Sequence, residues 1–173
     1  MSTPGRPRFS LSELQRISDR YQYEREDTVL ALVPGVRERG ALTKADLLTL
    51  VEWKSPRPRR FVTRAHESLI LEATAVALAA KSEEMRIGVL TLIPGVAYPI
   101  ASVILHFFHE DPYPIIDFRA LWSLNMEAPS TYYTFDHWQR YVAACRAIAA
   151  EASVDMRILD RALWQYSKEN QPS

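Results

Sequence analysis

Cysteine is almost missing from this chain: Cys145 is the only one among 173 residues. A single thiol excludes an intramolecular disulfide, and it excludes a four-cysteine zinc or iron–sulfur site. Its setting, "RYVAACRAIAA", points to a small buried side chain on a helix. Long apolar runs are missing too, and none reaches the roughly 18 residues that a membrane span needs. The opening "MSTPGRPRFS" lacks the apolar centre of a secretory signal. A cytoplasmic protein with no membrane partner is therefore expected. Net charge is absent as well, since 21 Lys and Arg balance 21 Asp and Glu. That balance argues against strong non-specific nucleic-acid binding, which usually shows as a basic domain. It leaves room for a local basic patch, because exposed charges act over about 10 Å. The chain also has no Gly-rich nucleotide loop, no Ser-His-Asp arrangement and no zinc motif.

What is present reads as a globular helical protein: 47% of residues are hydrophobic and 24% charged. Residues 1–10 form a flexible arm on this reading, followed by one all-α domain over 11–173. Ser10 or Ser12 caps a first helix running through "LSELQRISDRYQYEREDTVLALV" until Pro34-Gly35 breaks it. Thr43 caps "KADLLTLVEWK", and "SPRPRR" follows as a basic loop. A helix spans about 63–80, and Ser82 starts another that stops at Pro94-Gly95. Helix "PIASVILHFFH" follows, then an extended "DPYPII" and a helix opened by Asp117. Asp136 caps "HWQRYVAACRAIAAEA", and Ser153 caps the final helix, with Asp155 and Asp160 on its outer face. "VPGV" at 33–36 echoes "IPGV" at 93–96, but the flanks differ, so no repeat is assigned.

The stretch "LIPGVAYPIAS" places a tight turn between two helices. Gly95 supplies backbone freedom, and the first amides of the second helix have no intrahelical partner. Such a helix start favours a phosphate. Val96 and Ile100 plug the angle between the helices. About twenty residues on, Asp117 opens a helix behind an apolar segment. In this order the elements resemble the helix-hairpin-helix DNA glycosylase superfamily, of the endonuclease III and adenine-mismatch glycosylase type. The match covers about residues 82–124.

The resemblance implies a two-lobed helical domain that binds double-stranded DNA and flips a nucleotide from the duplex. The hairpin residues Gly95, Val96, Ala97 and Tyr98 would hold a phosphate. Asp117 would stabilise positive charge on the sugar, or help activate water, as the base leaves. Capping the next helix is the plainer role for Asp117, and the two are compatible. No cofactor is implied beyond a structural monovalent cation at the hairpin. Two departures matter. Pro99 stands where bifunctional members carry a lysine nucleophile, so a monofunctional enzyme without lyase activity is expected. Ala97 replaces the hairpin's usual second glycine. Both departures leave open a non-catalytic helix-hairpin-helix module that binds DNA or another partner.

Two further segments supply candidates. "WKSPRPRRFVTR" places Lys54, Arg57, Arg59 and Arg60 beside Trp53, either as a solvated loop or as a DNA contact with an aromatic wedge. "STYYTFDHWQRY" offers Tyr132, Tyr133 and Trp138 as base-pocket aromatics, against a core stripe at a helix start. His106 and His109 lie three apart, but no third ligand has a telling spacing, and a solvent-facing helix end accounts for them.

Overall fold

The computed structural model describes residues 5–129 and 132–172. The fold is all-α, and no strand occurs among the described residues. In chain order, a 3-10 turn at Leu11–Glu13 leads into α1 (Leu14–Asp19), α2 (Glu26–Leu30), α3 (Val33–Arg39) and α4 (Lys44–Lys54). Then come α5 (Arg59–Arg64), α6 (Glu67–Ala79), α7 (Glu83–Leu90) and α8 (Tyr98–Phe108). The chain ends with α9 (Phe118–Ser123), α10 (Phe135–Ala152) and α11 (Met156–Asn170). Where the sequence suggests one domain over 11–173, the chain forms two compact units. Tyr23–Asp111 makes the central unit, and the segments before and after it together make the terminal unit.

The central unit is organised around α8. Its residues Ile100 to Leu105, with Phe107 and Phe108, are buried. A helix apolar on every side belongs inside a core, and α3, α4, α6 and α7 all pack on it. Local chemistry sets the neighbouring helix starts. Thr43 accepts from the Asp46 amide while Asp46 reaches back to the Thr43 amide, a full capping box worth about 1 kcal/mol. Ser82 caps α7 through the Met85 amide. Thr74 is fully buried and fully used, accepting from the Leu42 amide at 2.9 Å and donating to the Ile70 carbonyl at 2.7 Å.

The terminal unit is organised around α11, against which α1, α9 and α10 pack. Tyr113 and Trp138 stack at 5.8 Å in its core, and Cys145 is buried there on α10, its thiol pushed up by burial. On α11, Leu159 and Leu163 are buried, while Ile158 and Trp164 are half-buried. Residues 5–10 are not a loose arm. The Gly5 and Arg8 amides donate to Leu124 and Ser123 carbonyls, each at 2.8 Å, and the Arg8 side chain donates to the Trp122 carbonyl.

Several boundaries differ from the sequence reading. The long first helix is divided into α1, α2 and α3: the chain leaves the helix at Arg20, and Arg25 adopts φ 65°. Pro34-Gly35 does not break a helix. Pro34 sits in the first turn of α3, where its missing N–H costs nothing, and Gly40 ends that helix at φ 67°. The expected helix from 63 to 80 begins at Glu67, because Thr63 and Arg64 finish α5. Thr134, not Asp136, caps α10, and Ser153 is that helix's left-handed C-cap. Asp155 precedes α11 without a side-chain capping bond. Asp160 is not an outer charge but is buried, at 6% exposure.

Arg20 on the α1 side grips Glu169 of α11 with two hydrogen bonds, at 2.9 and 2.7 Å. Those bonds hold the Glu169 carboxyl at about 2, well below the usual glutamate range. A depressed carboxyl stabilises the fold fully above its unfolded value of about 4.3, and loses that stabilisation as pH falls through about 2. Both side chains are partly exposed, so solvent screens much of that stabilisation. In urea unfolding, Glu169→Gln is expected to be the less stable protein at pH 7. The gap should close between about pH 4 and pH 2.

Candidate functional site

The sequence candidates fall into two groups, one in each unit. In the central unit, α7 ends at Leu90 and the chain turns through Gly95 before α8 begins at Tyr98. Gly95 has φ 87°, a conformation that disfavours any side chain. It is also hemmed in. A Cβ there would lie 2.9 Å from the Phe61 Cβ and 3.0 Å from the Pro58 carbonyl oxygen. The turn therefore packs directly against the start of α5, the helix formed by the basic run. Val96 and Ile100 are buried beneath it, as the hairpin reading expects. Ala97 starts α8 with no side-chain capping bond, and Pro99 lies in the first turn. Tyr98 is half-buried, its hydroxyl made harder to ionise by burial first and then by Glu84.

The expected basic loop at 55–60 is a turn over 55–58, and Arg59 and Arg60 open α5. Arg57, Arg59, Arg60 and Arg64 are exposed on or next to α5, while Lys54 is half-buried at the end of α4. Arg59 pairs with Glu52 at 2.6 Å. The Arg60 guanidinium lies 4.6 Å from the centre of the Phe61 ring. Trp53 does not join this surface. It is 7% exposed, edge-on to Tyr23 and to Phe107, and belongs to the core. The residue that sequence reasoning missed is Phe61, 43% exposed among the arginines. The only signal for it was its place in "RRFVTR", where an aromatic interrupts a basic run.

In the terminal unit, Asp117 caps α9 by accepting from the Ala120 amide at 2.9 Å. It is half-buried, and its negative charge, after burial, makes the nearby Tyr133 hydroxyl harder to ionise. The segment leading to it is held from two sides. Asp160 of α11 accepts from the Ile115 amide at 2.8 Å, and the buried Tyr141 hydroxyl of α10 donates to the Ile115 carbonyl at 2.8 Å. Arg157 completes the set with a 2.7 Å bond to the other Asp160 oxygen. Both backbone groups of a residue two before Asp117 are thus clamped. Next to Asp117, Phe118 is 55% exposed and lines an open cleft of about 700 Å³ with Arg8, Trp122 and Asn125.

The aromatic candidates of this unit separate by burial. Trp138 is fully buried against Tyr113, Tyr133 is half-buried beside His137, and Tyr132 is 81% exposed. Of the histidine pair in the central unit, His106 is half-buried and His109 does not face solvent as expected. His109 is 7% exposed, its Nδ1 accepts from the Asp111 amide at 2.9 Å, and its pKa is lowered by burial and then by Arg86. Among the described residues, no group of three His, Cys, Asp or Glu is placed to hold a metal ion.

Two substitutions probe these supports. Gly95→Ala forces a side chain into a left-handed turn and against Phe61, so a loss of about 2–4 kcal/mol is expected in urea unfolding. Asp160→Ala strips a partner from both Arg157 and the Ile115 amide. A loss of roughly 3 kcal/mol is expected, with Asp160→Asn intermediate because its amide oxygen still accepts from Ile115.

No family model, curated protein or solved structure matches this chain, so its function is argued from the two groups of residues above.

Proposed function

We propose that the protein binds duplex DNA through its backbone and removes a base as a monofunctional glycosylase. The observation that carries this reading is the Gly95 turn seated on the start of α5, the helix that carries exposed Arg59, Arg60 and Arg64, just before α8 begins without a side-chain cap. Helix amides and guanidinium groups are the two protein partners best suited to a phosphate. Together they hold a duplex in register without reading its sequence. Four exposed arginines, at 57, 59, 60 and 64, supply a local basic patch in a chain of zero net charge.

Catalysis is assigned to Asp117. A carboxylate is the electrostatic partner an oxocarbenium-like sugar requires. The Ile115 clamp supports the assignment by fixing the backbone that carries Asp117, since a catalytic group must be held within a fraction of an ångström. Pro99 offers no amine, so hydrolysis by water is expected and no covalent intermediate with the protein should form.

A second reading, a DNA-binding module without chemistry, is favoured by the capping bond that already occupies one Asp117 oxygen. Single-turnover base release on a panel of lesion-bearing duplexes separates the two. Under the glycosylase reading at least one lesion is excised, Asp117→Asn abolishes release, and the variant still binds. Binding without release from any lesion supports the module. In either case, replacing Arg57, Arg60 and Arg64 by Ala should weaken binding and reduce the salt slope by about 3. Failure of the wild-type protein to bind any duplex overturns both readings.

A further inference from the structure

One helix of the central unit carries an apolar stripe that its own fold leaves uncovered. Met85, Gly88 and Val89 on α7, with Leu92 just beyond its end, recur at the spacing of one helix face. Met85 is 51% exposed and Leu92 is 66% exposed. With Ser82 and Glu84 they line an open groove of about 370 Å³. We propose that this groove docks an amphipathic helix of a partner protein, whose apolar stripe meets the floor and whose basic residues meet the rim. Docking there does not depend on the DNA-binding reading above.

Gly88 points to an occupant. Glycine inside a helix costs stability relative to alanine, and a packing or functional reason usually keeps it there. Nothing internal needs this one: its φ is not positive, and a Cβ would meet no atom within 4 Å. The space above it is open to an approaching side chain, with Met85 before it and Leu92 after it as walls. The floor is firm, because Ser82 caps α7 through the Met85 amide and Ile87 and Leu90 are buried beneath it. Anchors at i, i+3, i+4 and i+7 are how a helix fills such a groove.

Charge selects the kind of helix. Glu84 is exposed, is the only charged side chain lining the groove, and forms no ion pair among the described residues. Lys81, the nearest cation before it in sequence, does not line the groove. A carboxylate at the rim repels a phosphate backbone or an anionic membrane, and it attracts Lys or Arg. A second copy of this face would bring the same carboxylate and no cation to meet it.

The probe is a fluorescent peptide of about 18 residues, long enough to hold a helix, with Leu at i, i+3, i+4 and i+7 and Lys on both flanks. One control peptide carries Glu in place of Lys, and another scrambles the stripe. In anisotropy titrations the full chain is expected to bind the Lys peptide saturably, and the Glu peptide at least about threefold more weakly, the scale of one exposed ion pair. Gly88→Gln fills the groove and should weaken binding by about tenfold. The same variant should melt at or above the wild-type temperature, because Gln is a better helix former than Gly. Misfolding cannot produce that combination. Glu84→Lys should reverse the preference between the Lys and Glu peptides. No binding of the Lys peptide, equal binding of the scrambled one, or undiminished binding by Gly88→Gln overturns the proposal. In sedimentation velocity, a wild-type dimer that Gly88→Gln dissolves would assign the groove to a second copy and overturn it too.

Discussion

The central unit depends on one tight contact, the Gly95 backbone against Pro58 and Phe61. Only glycine meets both demands at that point, the positive φ and the absence of a Cβ. The local geometry of the unit follows from it. The turn can close between α7 and α8, Val96 and Ile100 can drop into the core, and the start of α5 can pack on the turn that precedes α8. A basic run elsewhere on the chain would be a solvated face. Packed on this turn it shares a surface with the helix start.

The terminal unit has its own constraint of the same kind. An extended segment exposes backbone groups that a helical core does not satisfy, and buried groups must find partners. Asp160 and Tyr141 supply them for Ile115 from two different helices. The result is a rigid approach to α9, with Asp117 at its first turn. A buried carboxylate is costly unless it is paired, and Asp160 is paired twice. That cost is reasonable where a backbone position must not drift.

Much of this was legible in the residues, for local reasons. Thr43, Ser82 and Asp117 announced their helices because capping depends on three or four neighbouring residues. The tight turn after α7 was legible because Pro94-Gly95 interrupts an apolar run. What escaped depended on distant packing. Asp160 read as an outer charge because nothing near it in sequence reveals Ile115, 45 residues away. Trp53 looked like part of the basic segment because tryptophan is common at binding surfaces, yet Tyr23 and Phe107 enclose it. In sequence Pro34-Gly35 reads as a break like Pro94-Gly95. Pro34 instead occupies a first helical turn and Gly35 continues as helix, while Gly95 has φ 87°. The dipeptide is the same, and its tertiary setting decides which role it plays.

The central claim is that the hairpin and α5 together form the surface that meets DNA. Its most direct test is an amide NMR titration of the full chain with a short duplex. Within the central unit, shifts confined to residues 57–64 and 93–98, fading as salt is raised, are the expected result. Shifts of equal size spread over α6 or the rest of α8, or no shifts in the hairpin at saturating duplex, would contradict it.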